Sequence, residues 1–405
     1  MRCMITGKLV EPAATHPQIT GLSDVGGTTS GGPLIGFNQD AFRSFGLKKS
    51  RNAAVSTEAA SAYRAALNKL IRENSKRLGL VKIVYWFSQQ VVETEDPLSW
   101  LIEGDSTREK DAHQRARDLL DAIGTGKTPS LGSNRYYVLS LSGAAGRIMV
   151  RDWMEGQFEE LVSNIDSWFT DLAMVRPDGQ NLMRNPRFST VLEAMLIRNN
   201  QRRQTDALEE LPSPFIARMW RVALRNEPFP FDVLAKTLAR WRSDLLSEKG
   251  VNGYCAAVIK AYLNRKERRK GGKTLTTPYL NENHPEPAYH CGRLMAVLAH
   301  LQQSALGDVG AGVVQRYYAA ASTTPALVLG RLTRTSQHHL DKLEPGLAYW
   351  YETKLASIWG KLKDNVPTTL TLEQQSLFAL GYYQQMADLR TKRNSSEQKG
   401  EVDGE

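Results

Sequence analysis

Apolar positions along the chain follow two regimes. Up to about residue 153, short apolar runs alternate with polar loops. Beyond it, apolar residues recur at helical spacing with few interruptions. In the first regime Ala60, Tyr63, Leu67 and Leu70 or Ile71 fall three to four apart behind Ser56, an N-cap type. This predicts a helix over 57–74. LVKIVYWF (80–87) is short, apolar and rich in β-branched and aromatic residues, which predicts a buried strand. Residues 106–122 read as a polar surface helix, and 135–141 and 147–152 as two more strands. GLSDVGGTTSGGPLIG (21–36) reads only as loop or turn.

After Trp153 the pattern predicts helices at 154–174, 188–200, 213–225, 231–247, 251–270, 286–305, 309–320, 323–342, 346–362 and 371–392. The clearest breaks are RPDGQN (176–181) and TTPYLNENHPEP (276–287). The expected class is therefore α+β: an N-terminal mixed α/β domain with a small antiparallel sheet, then a predominantly all-α region ending in a helical bundle. Expected segments are 1–152, a helical domain at 153–275, a C-terminal bundle at 276–393 and a disordered polar tail at 394–405. The break near 276 predicts a C-terminal part that folds alone.

Composition narrows the class. The chain has 405 residues, 41% hydrophobic and 23% charged, which suits a globular protein with a sizeable core. No run approaches the length of a membrane span, and MRCMITGKLV lacks a secretory apolar stretch. Cys3, Cys255 and Cys291 lie far apart without CxxC spacing. That argues against a disulfide framework or zinc site and fits a reducing cytoplasm. The net charge of +9 points to a polyanion partner, since neutralised phosphates supply most non-specific affinity for nucleic acid.

Two stretches invite a nucleotide-hydrolase reading. GTGKT (124–128) lacks the first glycine of a phosphate loop, where Asp121 stands instead, and QRARDLLDAI before it reads as helix. In VLSLSGAAGRIMVRDW (138–153) the residues after the glycines read as strand, so the simplest structure is a β-hairpin. Alternation then places Arg147, Met149, Arg151 and Trp153 on one face, with Ile148 and Val150 toward the core. The two arginines would lie about 13 Å apart, suited to a phosphate backbone, with Trp153 adding stacking.

KAYLNRKERRKGGK (260–273) carries seven basic residues against one acid, more than a helix C-terminus needs. Lys266, Arg268, Arg269 and Lys270 are its candidate polyanion contacts. RNNQRRQ (198–204) is a weaker relative. His284 and His290 straddle two prolines with no acidic ligands beside them, so no metal is expected. HExxH and GxSxG are absent. We expect no catalytic residue and no cofactor. The rival readings are a nucleotide-dependent hydrolase using GTGKT and a general basic nucleic-acid-binding protein.

SGGPLIGFNQDAFRSFG (30–46), NAAVSTEAASAYRAALNKL (52–70) and YYVLSLSGAAGRIMVRDW (136–153) resemble the large subunit of the subtype I-C CRISPR Cascade surveillance complex, the Csd family. So do GRLMAVL (292–298), QRYYAAASTTPALVL (315–329), QHHLDKL (337–343) and GYYQQ (381–385), in family order. The resemblance implies a non-catalytic subunit of a guide-RNA complex. It would bind double-stranded target DNA, aid recognition of the protospacer-adjacent motif and stabilise the R-loop in antiviral defence. Its partners would be the guide RNA, the backbone and guide-processing subunits, and a recruited nuclease-helicase that cleaves. The resemblance implies no membrane partner. The all-α C-terminal part resembles the complex's small subunit. Family members carry a further N-terminal region before the block matching CMITG (3–7), so the resemblance implies that this chain lacks it.

Carried onto this sequence, the candidate DNA contacts are Gly31, Gly32 and Asn38 of the glycine loop and Lys48, Lys49, Arg51 and Asn52 of the basic turn. Arg316, Arg331, Arg334, His338 and Lys342 belong to the small-subunit-like helices. Tyr317, Tyr318, Tyr382 and Tyr383 are expected in a bundle core rather than as stacking platforms.

Overall fold

A four-stranded antiparallel meander organises the N-terminal part of this computed structural model: β3 (Ser75–Leu78), β4 (Val81–Phe87), β5 (Arg135–Ala144) and β6 (Arg147–Gln157), in that order. Before it come a two-stranded ribbon, β1 (Gln18–Ile19) with β2 (Gly32–Pro33), and helix α1 (Thr57–Glu73). The structure describes residues 1–405 except 38, 43, 105–111, 126, 145, 198–206, 248–249, 273–275, 308–311 and 403–405. Side chains at 42, 44, 129 and 392–402 are also outside the description. The architecture is α+β, as the pattern predicts. The chain forms two units, each discontinuous: 1–97, 116–164 and 201–226, and then 98–115, 165–200 and 227–405.

In the first unit, α1 begins where its cap predicts. Ser56 Oγ accepts from the Ala59 amide at 3.1 Å. Leu67 and Ile71 of α1 bury against Val84, Leu139, Leu141 and Ile148 of the sheet. The glycine-rich segment is more structured than its composition implies. Ile19, Leu22 and Val25 are buried in the same core, and Lys82 Nζ reaches both the Gly21 carbonyl and Asp24 Oδ1 at 2.8 Å. The opposite face of the sheet is covered by the start of α5 (Phe158–Leu172) and by α7 (Ser213–Leu224). Phe158 meets Phe87 at 5.5 Å between ring centroids, and Asn164 Nδ2 donates to the Leu224 carbonyl at 2.8 Å.

Two sequence expectations need correction here. The helix expected from 154 starts at Phe158, because β6 stays paired with β5 down to Arg135↔Gln157. β3 adds a strand that apolar patterning does not predict, because SKRL is polar. It is a short, charged edge strand, the kind that resists pairing with other chains.

The second unit contains α2 (Pro97–Glu103, from Leu98) and the start of α3 (Ala112–Gly124), and the rest of α5. A four-residue turn, α4 (Pro129–Gly132), belongs to the first unit. The remaining helices are α6 (Phe188–Glu193), α8 (Asp232–Leu246), α9 (Gly253–Arg269), α10 (Pro287–Leu306), α11 (Val313–Ala321), α12 (Pro325–Thr335), α13 (Gln337–Leu340), α14 (Pro345–Leu362) and α15 (Leu372–Val402). The single helix expected at 323–342 divides at Ser336. Helix α10 is buried on every side from Ala288 to Leu298, the pattern of a helix enclosed by others. It crosses α15 at very short range. A Cβ on Gly292 would lie 1.9 Å from the Phe378 carbonyl oxygen, and one on Gly381 would lie 2.1 Å from that of Tyr289.

Candidate nucleic-acid interface

The β5–β6 hairpin turns at Gly146, whose φ of +78° is a left-handed value that favours glycine. Gly143 has a different task. It lies within β5, and a Cβ there would sit 2.0 Å from the Gly27 amide nitrogen. The glycine loop thus packs backbone to backbone on the hairpin. Gly32 is buried against the Gly146 carbonyl, and Gly31 is buried against the Ile19 carbonyl of the ribbon. The Gly31 amide donates to the Thr28 carbonyl, and Gly32 pairs with Ile19.

A β-bulge changes the expected face assignment. Val150 pairs with Leu141 and Asp152 with Ser140, so Arg151 is the extra residue. The alternation reverses phase there. Arg147 and Met149 share one face, while Trp153 joins Ile148 and Val150 on the other. Val150, expected in the core, is 50% exposed, because the α1 side of the sheet is covered only in part. Arg151 Nε donates to Ser142 Oγ at 2.7 Å, and Arg147 is half-buried beside the turn. The sheet therefore does not present Arg147, Arg151 and Trp153 in one row.

The uncovered part of that face carries an aromatic group that sequence reasoning finds only in part. Trp86 stacks on Tyr137 with centroids 5.4 Å apart, and both approach Trp153, at 5.6 and 6.0 Å. Trp153 is 45% exposed. Only the cross-strand pairing Trp86↔Tyr137 and Leu139↔Trp153 brings residues from three strands together.

Lys48, Lys49, Arg51 and Asn52 are exposed on a short 3₁₀ turn, and Asn52 Nδ2 donates to the Leu47 carbonyl at 3.4 Å. Asn38 lies outside the described residues.

In the second unit the basic stretch 260–273 is reduced as a surface. Lys260 and Arg265 are interior, at 2% and 3% exposure. Burial lowers the Lys260 ammonium to about 8, with nearby Asp171 opposing the shift. Asp171 holds Arg265 at 2.6 Å and Arg268 at 2.8 Å. Lys266 pairs with Glu373, and Lys270 with Glu267 at 3.1 Å. Arg269 is exposed, and Lys273 lies outside the described residues.

Arg331, Arg334, His338 and Lys342 form a more open set. They are spaced three and four apart, and Ser336 between α12 and α13 keeps helical dihedrals (φ −69°, ψ −13°). One stripe therefore runs across both helices. These four and Arg316 are exposed, and none is in an ion pair among the described residues.

Tyr318, Tyr382 and Tyr383 are core residues, as expected. Tyr318 packs edge-on against Phe378 and Tyr382 at 5.4 and 5.3 Å. Tyr317 is half-buried. His284 and His290 hold the start of α10. The ring of His284 stacks on Tyr289 at 4.4 Å, and His290 Nε2 donates to the His284 carbonyl at 2.7 Å while Nδ1 accepts from Arg293. GTGKT follows helix α3, with no strand before it. The Thr125 and Lys127 amides donate to the Asp121 and Ala122 carbonyls, which removes both from any phosphate nest.

The fold and its exposed cations define the class: an α+β protein continuing into a helical bundle, with an unpaired basic stripe on the bundle. A family model described as CRISPR-associated protein (Cas_Csd1) matches residues 1–390. The chain belongs to that family, the Csd1 large subunits of the CRISPR Cascade complex, and so works in an assembly with other CRISPR-associated subunits. No curated protein matches the chain.

Proposed function

We infer that this chain is the non-catalytic large subunit of a type I-C interference complex in the cytoplasm. It binds double-stranded target DNA, aids recognition of the adjacent motif and stabilises the R-loop. Guide pairing reads sequence, and protein contacts read shape and backbone. A recruited nuclease-helicase performs cleavage. The observation that carries this reading, beside family membership, is the stripe Arg331–Arg334–His338–Lys342. It is exposed and outside the ion-pair network that absorbs much of the 260–273 cluster.

The test is target-DNA binding by the assembled complex across a salt series. Replacing Arg331, Arg334 and Lys342 with Ala should lower the log–log slope by about 0.9 for each phosphate no longer neutralised, up to about 2.7 in all. An unchanged slope overturns the assignment of the stripe. Failure of the chain to co-purify with guide RNA and backbone subunits overturns the assembly.

A further inference from the structure

Arginines from two elements of the first unit meet where α7 runs beside β6. Arg147 and Arg151 come from the strand, on the face that α7 packs against. Arg151 is held there by its bond to Ser142 Oγ, because Ser142 pairs with Met149 and shares its face. Arg218 and Arg221 come from α7, and Arg225 caps it. Spacings of three and four put these three on one side of the helix. Arg221 Nη1 lies 3.4 Å from Asp152 Oδ1, and Arg225 Nη2 donates to the Glu155 carbonyl at 3.4 Å. The two ties advance together along helix and strand, so both run the same way and the two sets form one row. From Arg147 to Glu155 that row covers about 25 Å of strand.

The row is fixed in place and still has donors to offer. Arg151 uses only Nε on Ser142, and its two amino groups meet no partner among the described residues. Arg218 is exposed and makes no polar contact among them. Asp152 offsets part of the charge, and Glu160 lies near Tyr136 at the Arg225 end. The remaining like charges repel one another, a cost that a bound polyanion removes. Guanidinium forks match phosphate oxygens in pairs.

The form of the polyanion follows from what the row lacks. Single-strand sites combine cations with rings that stack bases. Here the open rings, Trp86, Tyr137 and Trp153, lie on the other face of the sheet. Between Arg147 and Arg151 stands Met149, 40% exposed and unable to pair with a base edge. A span of about 25 Å exceeds a major groove of about 12 Å, so the row reaches phosphates on both sides of one groove.

We propose that Arg147, Arg151, Arg218, Arg221 and Arg225 form a duplex-DNA track in the first unit that grips the sugar–phosphate backbone whatever the sequence. The proposal rests on the DNA-binding reading above and adds to it a contact that needs no guide pairing.

The test titrates the assembled complex with labelled duplexes of two unrelated sequences, both lacking the guide's target, and with one of their single strands. Arg218→Glu alters an exposed side chain without polar partners, so folding does not depend on it, and thermal melts check this. Arg218→Glu should weaken duplex binding about tenfold at low salt, and Arg151→Gln with Arg218→Gln should lower the log–log salt slope by up to about 1.8. Single-strand binding should change little. Unchanged duplex affinity and slope overturn the track and leave the DNA-binding reading standing. Equal losses on duplex and single strand overturn the duplex assignment. A loss confined to one of the two sequences overturns backbone recognition. An unaltered complex that binds no duplex at any salt overturns the DNA-binding reading itself.

Discussion

Asp171 shows how much a single buried carboxylate can carry. It is enclosed with Arg265 and also binds Arg268 at 2.8 Å. Arg265 lies over the Trp168 and Phe229 rings at 5.6 and 5.2 Å. Asp171→Ala strands a buried guanidinium and should cost about 3–5 kcal/mol, read from urea unfolding. A cost below about 1 kcal/mol would mean that Arg265 finds water or another partner. His284 predicts a pH dependence. Burial, with the His290 ring second, lowers its pKa from 6.5 to about 4. The unfolded chain therefore binds a proton that the folded chain refuses. Stability from this group is complete above pH 6.5 and falls as the pH drops toward about 4. His284→Gln should flatten the stability profile in that window, measured by thermal melts in matched buffers.

The β5–β6 hairpin depends on two glycines for different reasons, and substitution separates them. Gly146 faces open space, so Gly146→Ala pays only for its left-handed backbone, about 1–2 kcal/mol. Gly143→Ala drives a methyl into the Gly27 backbone and should cost about 3 kcal/mol. Hydrogen exchange distinguishes them further. Amides of residues 21–32 should lose protection in Gly143→Ala and keep it in Gly146→Ala. Equal exchange in both variants would show that the loop does not rest on the hairpin. The same logic applies where α10 crosses α15, since neither Gly292 nor Gly381 has room for a side chain.

The break at 276–287 reads as a domain boundary in the sequence, yet the helices after it are tied to those before it within the second unit. Tyr383 donates through its hydroxyl to the Val175 carbonyl at 2.8 Å and meets Trp241 edge-on, and Glu373 pairs with Lys266. A fragment beginning at residue 276 leaves the Val175 and Trp241 partners behind. We expect it to keep helical far-UV circular dichroism and lose near-UV signal and cooperative melting. A native-like near-UV spectrum would restore the boundary.

What local pattern dictates, the amino-acid order alone determined. The apolar spacing of α1 and its Ser56 cap, the strand at Val81–Phe87, the change of regime after the hairpin and the basic balance are all local or additive properties. Family membership was legible too, as blocks in order. Pairing and burial were not. The bulge at Arg151 shifts the face of Trp153 and depends on β5, whose register no period within β6 encodes. Lys260 and Arg265 read as part of a surface cluster but lie inside, because Asp171 from a distant helix supplies the countercharge. Trp86, Tyr137 and Trp153 are apart in the chain and adjacent in the sheet. A period of two or 3.6 reports which way a residue faces along its own element. What it faces depends on long-range pairing, and here that separates cations bound into the core from those left on the surface.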